Sequence, residues 1–406
     1  MDICAALFSP ETARDPYPLF ATLRSEAPVH RLERYGWWAV SRYADVALVL
    51  RRHDLFSSAT GLESLRPQHL DDRTWQELAI LRGRSLINTD PPAHSRLRRL
   101  VSAAFTPRAM MDLEARVHQI SRTLVDGILA RDGFDVVTDL ATPLPVTVIA
   151  EMLGIDSARG ADFKRWSDDL IDLARLTREQ RLTLEETQRL VQSRRELVDY
   201  LEATIAARRQ RPQNDLLSAL TRAEGEHQTL DALEVLGMAV LLLIAGNETT
   251  THLIATGLHR LLEQPGALAQ LRDAPRLIPG FIEEVLRHEG PVTMLFRRTT
   301  TDVTLPGGTI PRGELVLALL GAANRDPARF PDPDRFDIHR DSRGHLEFGH
   351  GIHFCVGAPL SRLEGRVMFT ELLARSPPLA RVDARPDWGD NLGLRGLRSL
   401  PLRFLR

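Results

Sequence analysis

A cysteine framed by glycines and histidines opens the chemistry of this chain: FGHGIHFCVG, residues 348–357, holds Cys355, one of only two cysteines in 406 residues. Gly349, Gly351 and Gly357 allow backbone conformations closed to other residues, so a tight loop is expected that another group approaches closely. Immediately afterwards, VGAPLSRLEGRVMFTELLAR has helical spacing with Pro359 in its first turn, which puts Cys355 at a helix start. Exposed N–H groups and the helix dipole favour a thiolate over a thiol there. The sulfur reads as an anionic ligand or a nucleophile, against the plainer alternative of a buried thiol.

A zinc site would draw on His350, His353 and Cys355, but structural zinc wants four ligands and no further cysteine or histidine pair is spaced to help. A nucleophile needs a partnered base, and His353, two residues away, points elsewhere in an extended segment. Haem ligation accounts for more: a thiolate on iron, glycines that let the loop pass a porphyrin, and Phe348 and Phe354 to keep the sulfur dry. The segment resembles the haem-binding loop of the cytochrome P450 monooxygenases, phenylalanine-glycine-x-glycine-x-histidine-x-cysteine-x-glycine. The resemblance runs through essentially the whole chain in order.

From Ala239, AVLLLIAGNETTTHLIATGLHRLLEQP reads as one long helix, apolar on nearly every side and therefore central. Its middle is weak, because three threonines in succession and Gly246 each lower helix propensity. AGNETT resembles the family's alanine-glycine-x-acid-threonine segment on the distal haem face. Ala245 and Thr249 share a face at four-residue spacing, and by that resemblance Gly246 leaves room over the iron, while Glu248 and Thr249 are the acid and alcohol that guide protons to bound oxygen. Asn247 falls at a variable family position and receives no role.

FIEEVLRHEGP places Glu284 and Arg287 three apart on one helix face, like the family's glutamate-x-x-arginine signature, although Glu283 is also in reach of Arg287. The resemblance makes Arg335, in FPDPDRF, the third member of a buried structural network that holds the cysteine loop. It also implies four groups for the haem propionates: His94 and Arg98, one turn apart in DPPAHSRLRRL, Arg297 with Arg298 as its rival, and His353. By the same resemblance the candidate pocket residues are Leu241, Leu242 and Ala245, then Val292, Thr293, Met294, Leu295 and Phe296, the loop Ser57–Leu86, and Gly393–Leu397 with Leu394. Arg175, Arg178 and Arg181 are candidates to meet a substrate carboxylate, and Arg96 and Arg99 to steer an acidic electron donor.

These residues need a scaffold, and the sequence describes a mainly α one. Apolar residues recur at three- and four-residue spacing through most of the first two-thirds, while strand signals gather in 28–41, 292–318 and 379–404. With 43% hydrophobic and 26% charged residues, no repeat and no linker, a single integrated domain over 1–406 is expected. The 52 basic and 54 acidic residues give a net charge of −2, which recruits no nucleic acid. Almost every basic residue is arginine, Lys164 apart. The N-terminus lacks an export pattern, the longest unbroken apolar run, MAVLLLIA, is too short to cross a bilayer, and two distant cysteines suit a reducing compartment. A cytoplasmic monomer without a membrane anchor is expected.

The resemblance implies an α-rich P450 fold with one haem b between the central helix and the helix after Cys355. It implies that one oxygen atom of O2 enters a lipophilic terpenoid, steroid, fatty acid or polyketide by hydroxylation or epoxidation, with demethylation open to the same machinery. Electrons arrive from a ferredoxin or flavodoxin with its reductase, NAD(P)H acting only through them, since no flavin or iron–sulfur cysteine set remains in the chain. The alternatives are a peroxide-driven haem-thiolate peroxygenase, a non-catalytic haem sensor or binding protein, and a zinc or redox switch at HGIHFC.

Overall fold

The computed structural model describes residues 2–60, 71–72, 85–156, 159–175, 183–222, 232–382 and 385–405. Its contacts fall into two compact units, one formed by 1–57, 110–144 and 249–406, the other by 58–109 and 145–248. The elements that carry the site are α1 (Ala93–Ser102), α2 (Pro143–Leu153), α3 (Gly160–Arg175), α4 (Leu184–Gln210), α5 (Ala232–Glu263), α6 (Ile278–Glu289) and α7 (Ala358–Arg375).

The second unit is helical. A capping box starts α4, with Thr183 accepting from the Glu186 N–H and the Glu186 carboxylate accepting from the Thr183 N–H, so two otherwise orphaned donors are satisfied at once. Phe163 and Trp166 of α3 are fully buried, as are Leu197 and Leu201 of α4. A polar seam also joins the two helices: Arg165 binds Ser193 at 2.9 Å, Ser193 donates to Asp169, and Arg189 pairs with Asp169 at 2.8 Å. Helix α5 runs without a break through the weak stretch 246–251. It is long and apolar enough to cross a membrane by composition, yet 61% of its most apolar window is buried inside the protein.

The first unit holds the strands. β1 (Val29–Leu32), β2 (Trp37–Val40), β3 (Phe56–Ser57), β4 (Leu295–Thr299) and β5 (Leu315–Ala318) form one sheet in the order β1-β2-β5-β4-β3, with only β2 and β5 parallel. The register pairs Arg297 with Val316 and Arg298 with Leu315. Val40, Phe56, Val316 and Leu320 lie in the core packed on this sheet. The C-terminal strand Pro401–Phe404 joins Gly133–Asp135 and Leu379–Arg381 in a second sheet. Each strand-bearing segment expected from the sequence contains strands, and the two short strands at 56–57 and 133–135 went unpredicted because they are two or three residues long. The proline-rich stretch 323–344 is an ordered meander that buries Phe330 and Phe336.

Candidate functional site

The cysteine loop lies in the first unit. Gly349 and Gly351 both have φ +73°, a conformation that side chains resist, and a Cβ on Gly351 would meet the backbone at Arg51 Cα, 2.9 Å away. The loop closes on itself where the Cys355 N–H donates to the Phe348 carbonyl at 2.8 Å. Helix α7 starts three residues later with Gly357 as its N-cap and Pro359 in its first turn. Gly357 departs from expectation: its φ is −82°, which any residue adopts, and an added Cβ would sit at an ordinary 3.9 Å from the Cys355 sulfur.

Cys355 is exposed, beside Phe354, which is 39% exposed. Phe348 is buried beneath Arg362, whose guanidinium lies 4.4 Å from the ring centre, so only Phe348 is shut away from water. Among the described residues no three histidine, cysteine or acidic side chains converge on a metal position, so His350, His353 and Cys355 do not assemble a zinc site. This donor set fits haem: one thiol on an apolar, aromatic surface can serve a metal that brings its remaining ligands in a macrocycle.

Glu284 and Arg287 of α6 form the network behind the loop. The guanidinium donates to both carboxylate oxygens at 2.7 and 2.8 Å, and both side chains are 0% exposed. Arg287 also donates to the carbonyls of Asn324 and Pro333 at 3.0 and 2.9 Å. Glu284 further accepts from Ser342 Oγ at 2.6 Å and from the Asp337 N–H at 2.9 Å.

The third side chain is Arg340, 3.3 Å from Glu284, and the assignment to Arg335 is corrected. Arg335 offers only its carbonyl to Arg287, and its own side chain is 71% exposed beside Asp337. Spacing matched a motif, whereas the turns of the meander decide which arginine points inward. Glu283 does not serve Arg287 either. It binds Arg362 at 2.6 and 2.8 Å and His345 at 3.1 Å, and these partners outweigh its burial to hold its pKa at about 2.

Strand alternation separates Arg297 from Arg298. Arg297 is buried on β4, with Nη1 bonded to the Phe296 carbonyl at 2.7 Å, while Arg298 reaches the Gly313 carbonyl at 2.6 Å on the more exposed side. His353 is half-buried and its Nε2 is shielded from solvent. The segments 292–294 and 391–395 lie side by side: Val292 bridges Leu394, and the Thr293 N–H donates to the Gly393 carbonyl at 3.2 Å. Two of the candidate pocket residues, one in these segments and one in β4, have partners within the fold. Thr293 is buried and donates its hydroxyl to the Leu392 carbonyl, and Phe296 packs edge-on against Trp37 at 5.5 Å.

Sequence reasoning missed the support for this pair of segments. Glu289 is buried, and despite the cost of burial Arg395 at 2.6 Å and Arg260 hold its pKa at about 2. Arg395 anchors the strip by donating its N–H to the Pro291 carbonyl at 2.8 Å. Nothing in LGLRGLRSL, which holds both Arg395 and Arg398, signals that partner.

In the second unit, α1 buries His94 together with Leu97 and Val101 and leaves Arg98 half-buried. Arg96 is paired with Glu234 at 2.9 Å, which spends much of the charge expected to attract a donor. On α5 Ala245 is exposed although the helix around it is largely buried, and Leu241, one turn earlier, is half-buried. Leu242, by contrast, is buried. Gly246 does not open space by lacking a side chain, since its Cβ direction faces Ile149 of α2 at an ordinary 3.6 Å.

Glu248 is buried with its Oε2 shielded. Asn247, left without a role, is 2% exposed and donates to the buried Ser167 of α3 at 2.7 Å. The threonine run is explained in part within the first unit: Thr250 binds Ser361 Oγ at 3.2 Å and Thr251 the Ala141 carbonyl at 3.1 Å, while Thr249 is half-buried. The loop 61–70 and 73–84, Arg178 and Arg181, and the side chain of Arg175 lie outside the described residues.

The cytochrome P450 family profile matches residues 33–376. The chain belongs to the cytochrome P450 family. It is 42% identical to the cytochrome P450 monooxygenase PikC of Streptomyces venezuelae, over 97% of this chain and 92% of that protein. It is 38% identical to the 6-deoxyerythronolide B hydroxylase of Saccharopolyspora erythraea, over 96% of each. The structure of CYP109E1 from Bacillus megaterium in complex with testosterone superposes with a TM-score of 0.85 at 36% identity, covering 97% of this chain and 99% of that one. This P450 is therefore an oxidoreductase of the monooxygenase class with the P450 fold, and haem and O2 go with the family.

Proposed function

We propose that this P450 inserts one oxygen atom of O2 into a lipophilic small molecule of steroid or macrolide size, with Cys355 as the thiolate ligand of a haem b iron. The observation that carries the reading is the Cys355 loop itself, an exposed cysteine on a glycine-turned loop that closes through its N–H on the Phe348 carbonyl and leads directly into α7. When bound, the haem supplies the reductive splitting of O2, one atom entering a C–H or C=C bond and the other leaving as water with two protons and two electrons.

The chain's own residues divide the remaining work. His94, Arg98, Arg297 and His353 meet the propionates, buried Arg297 in preference to Arg298, and Phe348, Gly349 and Gly357 shape the loop around the sulfur. Glu248 holds a proton at its buried carboxyl and Thr249 passes it on at its hydroxyl, beside the exposed Ala245 and the half-buried Gly246. Glu284, Arg287 and Arg340 keep the loop's support rigid. Leu241, Ala245, Val292, Met294, Leu295 and Leu394 offer apolar contact to the substrate, in keeping with the testosterone held by CYP109E1.

A ferredoxin or flavodoxin with its reductase supplies the electrons, and NAD(P)H acts only through them. The whole of 1–406 works as one domain, as a cytoplasmic monomer. Isotope labelling tests the reading: under ¹⁸O2 with ferredoxin, reductase and NADPH, the product of a ligand found by its spin-state shift carries one labelled oxygen. Turnover equally well supported by hydrogen peroxide, with its oxygen in the product, would make the enzyme a peroxygenase; binding without product would make it a haem sensor.

A further inference from the structure

Glu347, the residue before the cysteine loop, has no part in the reading above. Its carboxyl is buried, and Oε1 accepts the Val292 N–H at 2.6 Å. The other oxygen fills the space left by Gly290, where a Cβ would fall 2.2 Å from the Glu347 carboxyl. The Glu347 N–H donates to His345 Nδ1 at 3.2 Å, and His345 Nε2 meets Glu283 at 3.1 Å. Glu283 accepts two bonds from Arg362, whose guanidinium covers Phe348. This chain of contacts leaves the loop at residue 347 and returns to it at 348.

We propose that Glu347 is a positioning residue for the Cys355 loop, its carboxyl fastening the loop's base to the backbone of Val292; this rests on Cys355 being the iron ligand. Burial, opposed by the Val292 hydrogen bond, pushes the carboxyl up to about 8, so it is neutral at pH 7. Charged groups on the surrounding elements are matched elsewhere: His345 and Arg362 with Glu283, Arg287 and Arg340 with Glu284, Glu289 with Arg260 and Arg395, and Arg325 with Asp334 and the His288 carbonyl. Ionisation therefore adds a buried negative charge that these pairs do not neutralise. As pH rises toward 8 an opened base, in which the carboxyl ionises in water, gains on the closed one, although the carboxylate accepts the Val292 N–H more strongly. The base of the loop therefore loosens and the thiolate loses its fixed place.

The test follows the reduced carbon monoxide spectrum of the holoenzyme from pH ~6.5 to ~9.5. In the wild-type protein the thiolate band is expected to fall at least twofold around pH 8. Glu347→Gln, which keeps the acceptor oxygen and cannot ionise, is expected to hold the band level, and Glu347→Ala to lower it at every pH. Glu364→Gln, removing a second buried acid raised to about 8, is expected to leave the fall in place. Exchange of the Val292 amide, corrected for its intrinsic rate, should rise with pH in the wild type and not in Glu347→Gln.

A flat wild-type profile with unchanged Val292 protection overturns the proposal even if no variant folds, and so does a fall in Glu347→Gln equal to the wild type's. A thiolate band missing from the wild type at every pH instead overturns the assignment of Cys355, while Val292 exchange still reads the fastening.

Discussion

Arg287 grips Glu284 through two parallel hydrogen bonds, and neither side chain reaches solvent. Removing one partner of such a pair leaves the other charge buried alone, at a cost of about 3–5 kcal/mol. Glu284→Ala is thus expected to reduce both the urea midpoint and the yield of haem-loaded protein sharply. Arg340→Ala should cost about 1–3 kcal/mol, whereas Arg335→Ala should stay within about 0.5 kcal/mol. Denaturation curves of the three variants decide whether Arg340 is the third member.

Asn247 and Ser167 share one buried hydrogen bond on α5 and α3. Asn247→Leu and Ser167→Ala should each destabilise the fold by about 1–3 kcal/mol. The double variant should lose about 1 kcal/mol less than the sum of the two. Strict additivity in a double-mutant cycle would show that the two do not act as a pair.

Two carboxyls tie stability to pH. Glu347 and Glu364 are both raised from 4.5 to about 8, chiefly by burial. Unfolded, each loses its proton near 4.5; folded, each keeps it to about 8, so the unfolded state binds fewer protons across that window. Stability should be highest below pH ~4.5 as far as these groups alone are concerned, and fall by about 1.4 kcal/mol per pH unit for each group until ~8. Glu364→Gln should make the fall in urea midpoint between pH 5 and 8 shallower, as measured by parallel denaturation series.

The two glycines flanking the loop's turn and its helix should respond differently. Gly351→Ala forces a Cβ to 2.9 Å from Arg51 Cα at φ +73° and should cost about 1–3 kcal/mol together with haem content. Gly357→Ala meets neither obstacle and should cost less than about 1 kcal/mol. Haem absorbance per protein and thermal midpoints measure both.

What the sequence made legible was whatever depends on local spacing. The unbroken α5, the cysteine loop before α7 and the strand-bearing segments follow from periodicity and from glycine and proline placement, whereas the Glu284–Arg287 pair rests on the family signature, since spacing also leaves Glu283 in reach of Arg287. What stayed hidden depends on long-range direction. Arg340 replaces Arg335 because of how the meander turns, Asn247 meets a serine 80 residues away, and Glu289 finds Arg395 across 106 residues. Phe296 and Thr293 are pocket candidates by resemblance alone, and spacing gives no sign of the Trp37 ring that meets the first or the Leu392 carbonyl that takes the hydroxyl of the second.

The most direct measurement of the central claim is the Soret spectrum of the reduced carbon monoxide complex, taken for the wild-type protein and Cys355→Ser. The strongly red-shifted band of a thiolate-ligated haem is expected in the first and its loss in the second. A wild-type protein that stays colourless after haem reconstitution, or a band that survives in Cys355→Ser, would contradict it.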